Sequence, residues 1–420
     1  MEGNDEQDGT LNSPLRTLNQ AAAVATAGTT VHVREGIYAE KLIVQHSGTK
    51  SGPIVFKPYQ DEEVVLSGAG LDSKEGDTAL ITIEDKNYVE ISGFIVQDLS
   101  TDLKDETVMG IFVTGSSSHI LLDNNRVQRI ETQSAEGNAH GIAVYGTGPM
   151  KNITIINNTV EDLKLGASEA LVLNGNINGF EITDNVVRRC NNIGIDLIGY
   201  EGVSVDEKYD YVRNGIVYGN EVYEISSYGN PAYGNEYNAG GIYVDGGKDI
   251  KIEKNTVYQN DIGIEATSEH AGKSAENIEI VNNTVYENFY TGIAIGGYDE
   301  KRGGTQNSLI SKNKLERNDT KGLGGGQILI QHAADDNVIE ENTLKTGPSN
   351  IFIANYVATG VNNEFNQNDY QSEGGKRVFG FGKIKNSLHF LISSQLHEVR
   401  NRMRFTSLEN QAELSFDFKH

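Results

Sequence analysis

Ile153-Thr-Ile-Ile-Asn-Asn158-Thr-Val160 and Ile278-Glu-Ile-Val-Asn-Asn283-Thr-Val285 follow one pattern: apolar residues in alternation, then an asparagine, then one more apolar residue. The same grammar, with a one-residue slip in places, closes on Asn125, Asn158, Asn185, Asn220, Asn255, Asn283, Asn313 and Asn342, at intervals of 27 to 35 residues. Alternation is the period of a strand. A strand motif returning at this interval means stacked coils, in which each coil buries its apolar face only against its neighbours. The expected fold is therefore all-β: a solenoid of parallel strands, a β-helix, with the asparagines stacked inside as a ladder of amides that bond one another and the turn backbone.

A second strand reads Gly-Ile-any-apolar: Gly110-Ile-Phe-Val, Gly141-Ile-Ala-Val, Gly194-Ile-Asp-Leu, Gly241-Ile-Tyr-Val, Gly263-Ile-Glu-Ala and Gly292-Ile-Ala-Ile. Before the coils, Ser13-Pro14 opens and Gly28 closes a short amphipathic stretch. It is expected to be a capping helix that covers the first sheet edge. The expected organisation is a disordered start over 1–12, one β-helix domain over 13–375, and a tail over 376–420. The tail abandons the repeat, and Lys383–Arg400 in it reads as a capping helix or as altered sequence.

Composition narrows the partners. A formal charge of −24 over 420 residues argues against nucleic acid, which wants a basic face. No apolar run is long enough for a membrane span. The single cysteine, Cys190, excludes an internal disulfide framework and reads as a structural thiol. The first residues are not a signal peptide. The chain is thus expected to be extracellular with its leader removed, or cytoplasmic if complete, and in either case a monomer.

Strand alternation also assigns faces. In the second strand the residue after Ile points away from the core, which gives an outward column of Phe112, Ala143, Val172, Asp196, Tyr243, Glu265, Ala294, Leu329 and Phe352. A second column, two residues on, includes Tyr145, Asn174 and Asp245. Acidic and phenolic groups concentrate in the middle coils. Asp196, Asp245 and Glu265 are expected on three successive coils, about 8–10 Å apart, where like charges need a metal, a cation or a shared proton. The corners that follow carry His270, Lys273, Tyr298, Lys301 and Arg302, and Lys248 follows Asp245. Two insertions, 199–214 and 224–240, supply Tyr200, Tyr228, Tyr233 and Tyr237 as candidate substrate-binding rings.

Asp8-Gly-Thr-Leu-Asn-Ser-Pro-Leu-Arg-Thr-Leu, Val31-His-Val-Arg-Glu-Gly-Ile-Tyr38 and the asparagine-closed coils resemble the right-handed parallel β-helix proteins, in their carbohydrate-active branch near pectate lyase family nine, over roughly residues 8–370, which implies right-handed coils. Asn191-Asn-Ile-Gly-Ile-Asp196-Leu resembles that family's calcium segment, with only Asp196 keeping an acid. Glu169 falls near an earlier calcium ligand, and Tyr243 takes the place of the catalytic lysine. The resemblance implies a polysaccharide lyase acting by β-elimination on an acidic, uronate-containing polysaccharide. Calcium would sit on Asp196, Asp245 and Glu265. Lys273 or Tyr243 would be the base, assisted by Arg302, His270 or Tyr298, with Lys248 and Lys301 binding substrate. Two alternatives remain: an inverting glycoside hydrolase using the same carboxylates, and a non-catalytic glycan-binding β-helix.

Overall fold

The structure is a computed structural model. It describes residues 3–71, 76–357 and 359–372, together with the backbone of Arg377–Phe381, Leu388–Ile392 and Arg402–Arg404. By compactness the chain divides into two units. One comprises Met1–Asn192, Glu201–Asp210 and Gly229–Gly234; the other comprises Ile193–Tyr200, Tyr211–Tyr228 and Asn235–His420.

In the first unit each coil lays down three parallel strand positions. Ile81, Ile111, Ile142 and Leu171 stack in one column, Val89, Ile120, Ile153 and Phe180 in a second, and Val96, Val127, Val160 and Val187 in a third. Each of these side chains is at most 3% exposed. The core is thus a prism of β-branched and aliphatic rows, which suits strands stacked about 4.8 Å apart. The second unit repeats the plan. Its rows are Ile195, Ile242, Ile264, Ile293 and Ile328; Ile252, Ile280, Ile310, Ile339 and Phe365; and Val222, Val257, Val285, Leu315 and Leu344.

The corner at each ladder asparagine has one design. The residue just before it takes the left-handed conformation: Asn124, Asn157 and Asp184 in the first unit, and Lys254, Asn282, Lys312, Glu341 and Gln367 in the second, with φ between 53° and 58°. This turns the chain sharply and points the next side chain inward. Asn125 Nδ2 donates to Asn158 Oδ1 (3.1 Å), and Asn158 Nδ2 donates to Asn185 Oδ1 (3.0 Å). In the second unit the stack runs Asn220, Asn255, Asn283, Asn313, Asn342 and Asn368, each amide donating to the next at 2.9–3.0 Å. The spare Nδ2–H bonds go to strand carbonyls such as Leu122 O and Ile252 O. Corner amides that would be costly to bury unpaired are thereby satisfied. Two further amide stacks were not read from the sequence. One joins Asn260, Asn288, Asn318 and Gln327; the other runs from Asn337 to Asn363.

Two terminal expectations are corrected. The N-terminal helix is present but spans only Leu18–Val24, capped by Thr17, whose Oγ1 accepts the Gln20 N–H at 3.1 Å. Ser13 is not the cap. Asp5 accepts from the backbone of Arg16 and Thr17 and ties residues 13–17 down as extended chain. In the tail, Leu388–Ile392 forms a strand antiparallel to Arg377–Phe381, not part of a helix. A five-residue apolar run is as legible as strand as it is as helix. The rest of Lys383–Arg400 lies outside the described residues.

Candidate active site

The middle strands of the second unit carry the site. Register pairs Asp196 with Tyr243 and Tyr243 with Glu265, so these three side chains stand in one column on Ile195–Ile198, Gly240–Asp245 and Ile262–Thr267. Asp245 stands in the second column, as the alternation predicts. It pairs with Thr267 and lies two residues along Tyr243's own strand. The first column ends differently from expectation: Leu329 pairs with Ala354, while Phe352 turns into the core against Tyr370.

The outward face is not solvated. Asp196, Tyr243, Asp245 and Glu265 are all at most 3% exposed. Farther along the same face, Ala294, Leu329 and Ala354 are sealed by Tyr290, Ile351 and Tyr356. Strand alternation says which side of the sheet a residue faces. It does not say that the corner loops fold over that side.

This covering decides the protonation states. Tyr298, from the corner after Thr291–Ile295, donates its hydroxyl to the Tyr243 hydroxyl at 2.9 Å. Burial, with the charges of Glu269 and Asp245 nearby, pushes the Glu265 carboxyl up to about 8, against a partial offset from a hydrogen bond with Tyr298. Glu265 Oε1 has no hydrogen-bond partner among the described residues. Burial also holds the Tyr243 phenol well above its ordinary value, reinforced by Asp245, Tyr298 and Glu265. Asp245 accepts the Glu269 N–H at 2.7 Å, a bond that favours its ionised form. The site therefore contains a carboxyl held protonated and a neutral phenol pair beside the Asp245 carboxyl group within one buried patch. Glu269, which contributes to all three, was not singled out from the sequence; its place in a corner loop carries no strand signal.

The basic residues are arranged otherwise than expected. The Lys273 ammonium sits over the Tyr200 ring at 4.6 Å. Lys248 pairs with Glu276 at 2.8 Å and stands over Tyr211. Arg302 is exposed and pairs with Asp299 at 2.8 Å, and Lys301 is exposed on the same turn. His270 alone comes close: a ring nitrogen lies within 4.8 Å of an Asp245 oxygen, and its buried Nε2 has no partner among the described residues. Lys248 and Glu276 are register partners on neighbouring strands, Arg302 is held by Asp299 within its own turn, and Lys273 is held by a ring from an earlier coil. The expected substrate-binding rings also separate. Tyr228 stacks on Tyr237 in the second unit, while Tyr233 belongs to the first unit, its hydroxyl 3.4 Å from Ala167 O.

Asp196, Asp245 and Glu265 do not gather as the calcium ligands expected of them. Calcium needs six to eight oxygens, and among the described residues the ligand atoms of these three do not all come within 4.8 Å of one another. Asn191 and Asn192 stand where the resemblance places paired aspartates, and both are spent on backbone. Asn191 Oδ1 accepts the Leu165 N–H at 2.6 Å, and Asn192 Nδ2 donates to Ser168 O at 2.8 Å. Glu169 lies against buried His140, its Oε2 3.6 Å from Nδ1.

Comparison with known proteins fits this frame. The uncharacterized protein YwoF of Bacillus subtilis is 58% identical over 371 residues, which is 88% of this chain and 79% of YwoF. The chain belongs to the YwoF family. The model for a Pel9A-like right-handed β-helix region matches residues 1–190, and that for a right-handed β-helix region matches 109–302. The coils are therefore right-handed, and the resemblance to pectate lyase family nine extends to a curated relative. Pectate lyase PEL9 of Emericella nidulans is 34% identical over 100 residues, 21% of this chain and 24% of its own. Among solved structures, the GH136 lacto-N-biosidase of Eubacterium ramulus superposes with a TM-score of 0.58 at 14% identity, over 88% of this chain and 66% of its own length. The A-module of the Azotobacter vinelandii mannuronan C-5 epimerase AlgE6 gives 0.52 at 13% identity, over 84% and 88%. At these identities the structures speak for the fold alone.

Proposed function

We propose that this protein cleaves glycosidic bonds of a polysaccharide by acid-assisted hydrolysis, with Glu265 as the proton donor. The observation that carries this reading is a buried carboxyl held near pKa 8 beside a hydrogen-bonded tyrosine pair. A group that must protonate a leaving oxygen near neutral pH needs such a value. Its relatives support a carbohydrate substrate, since PEL9 is a pectate lyase and the lacto-N-biosidase and the mannuronan epimerase share the fold.

The chemistry follows from the placement. Glu265 gives its proton to the glycosidic oxygen as the anomeric C–O bond breaks. The Asp245 carboxylate takes a proton from water, whose oxygen bonds to the anomeric carbon on the opposite face. Asp245 lies one strand across and two residues along from Glu265, which sets their Cα atoms roughly 8 Å apart by strand geometry; inverting enzymes hold their two carboxyl groups about 6.5–9.5 Å apart. The Tyr243 and Tyr298 hydroxyls orient the sugar beside the acid, and Asp196 lines the other side of Tyr243 as a hydroxyl acceptor. No step needs a metal. The density of carboxylates favours a neutral sugar at the cleavage point.

Lyase action is the second reading, favoured by the Pel9A-like match and by PEL9. In it Glu265 would still protonate the leaving oxygen. Tyr243 is poorly suited as base, because its surroundings hold the proton on.

A panel of neutral and uronate polysaccharides separates the two. The expected result is new reducing ends with no ultraviolet-absorbing unsaturated product, unchanged by chelator and abolished in Glu265→Gln. An ultraviolet-absorbing product would establish β-elimination in its place, and full activity of Glu265→Gln would remove Glu265 from the chemistry.

A further inference from the structure

The third strand of each coil ends in a residue with left-handed backbone, and these residues stack one per coil. In the first unit the stack is Asp98, Arg129, Asp162 and Arg189, with φ of 52–60°. It satisfies itself: Arg129 Nε bonds Asp98 Oδ1 at 2.5 Å, and Arg189 Nε bonds Asp162 Oδ1 at 2.6 Å. In the second unit the equivalent stack is Glu224, Gln259, Glu287 and Arg317, with φ of 54–56°. Here the Glu224 and Glu287 carboxylates and the Gln259 amide take no hydrogen bond from the described residues.

These four side chains line one wall of an open groove of about 400 Å³, whose other wall includes Phe289 and Thr320. Phe289 is backed by Tyr237 edge-on (5.6 Å between centroids, 72°) and by the Lys321 ammonium at 5.1 Å. Tyr237 is itself stacked on Tyr228 at 4.8 Å. The insertion's tyrosines thus brace the ring that lines the groove. The Thr320 hydroxyl is buried with no partner among the described residues.

We propose that this groove is a binding site for a neutral pyranosyl oligosaccharide, separate from the strands that carry Glu265. The inference rests on the carbohydrate reading above. Carboxylate, amide, carboxylate and guanidinium groups recur every coil, roughly 4.8 Å apart, a spacing comparable to one sugar residue in an extended chain. Such groups accept from and donate to vicinal hydroxyls, while an aromatic ring takes the apolar face of a pyranose. Two carboxylates against one guanidinium disfavour a uronate chain. A self-paired ladder like that of the first unit would leave no such capacity.

The test uses the full chain carrying Glu265→Gln, so that bound oligosaccharide is not consumed. Calorimetric titration with neutral gluco-, xylo- and manno-oligosaccharides and with oligogalacturonates is compared for this protein and for versions that also carry Phe289→Ala or Glu287→Gln. We expect binding of a neutral oligosaccharide, weakened at least tenfold by Phe289→Ala and several-fold by the milder Glu287→Gln. With Glu265 restored, both groove variants should turn over a short chromogenic glycoside at the unaltered rate. Absence of neutral-oligosaccharide binding, binding indifferent to both substitutions, or preference for oligogalacturonates would each overturn the proposal. Failure of the hydrolysis reading would appear instead as an active Glu265→Gln enzyme with groove binding intact.

Discussion

The Tyr298 hydroxyl donates to the Tyr243 hydroxyl at 2.9 Å, joining a corner loop to the middle of a strand 55 residues earlier. Tyr298 is 36% exposed as a residue, yet its hydroxyl end reaches a cluster whose other members are almost fully buried. The contact therefore links the solvent-facing corner to the acid column, and it makes Tyr298 a sensitive place to probe the site.

Tyr298→Phe removes one hydrogen bond from Tyr243 without opening a cavity. Polysaccharide cleavage should fall by roughly 10- to 100-fold in kcat, consistent with loss of about 1.4–2.7 kcal/mol of positioning. The melting temperature should stay within a few degrees. A variant with undiminished kcat would show that the tyrosine pair does not serve the reaction.

The pH dependence of Glu265 has a definite sign. Its ordinary value is 4.5 and its folded value about 8. Between these, the folded chain holds a proton that the unfolded chain has released, so stability falls as pH rises through that window. Glu265→Gln should flatten that part of the stability curve in urea titrations at pH 5, 6.5 and 8. In the wild type, cleavage should decline on the alkaline side as the acid loses its proton near pH 8. A stability slope unchanged by the substitution would mean that Glu265 is not held protonated.

The asparagine stacks should behave as buried structure. Asn283 donates to Ile252 O and Asn313 Oδ1, and its own Oδ1 accepts from the Asn255 backbone and side chain. Asn283→Ala orphans those partners inside the coil and should cost about 3 kcal/mol, read by urea unfolding. The product pattern of any remaining activity should not change.

Cys190 is buried, and burial pushes its thiol up to about 12. Its Sγ donates to Arg188 O at 3.3 Å. A thiol-specific reagent should leave it untouched in the native protein and modify it only on unfolding. Rapid native-state labelling would contradict this burial.

Much of the fold was legible in the chain because its causes are local and repeated. Alternation sets which face each strand residue takes, and the asparagine marks the corner. Strand alternation alone puts Asp196, Tyr243 and Glu265 in one column, and the register agrees. The alternation also sets Asp245 in the neighbouring column beside Thr267; it misplaces Phe352, which turns into the core, and the helix cap, which is Thr17 and not Ser13.

Residue type and spacing along one chain set the repeat, the inward or outward direction of the side chains in the middle coils and the neutral asparagines at 191 and 192. The tertiary structure decided what those side chains meet. It covered a face that alternation could only call outward and so raised the Glu265 carboxyl. It paired Lys248 and Arg302 with Glu276 and Asp299, seated Lys273 on Tyr200, and left Glu224, Gln259 and Glu287 of one corner stack without a side-chain hydrogen bond among the described residues, beside Phe289. Burial and pairing depend on loops that carry no period, so they appear only when the coils are stacked.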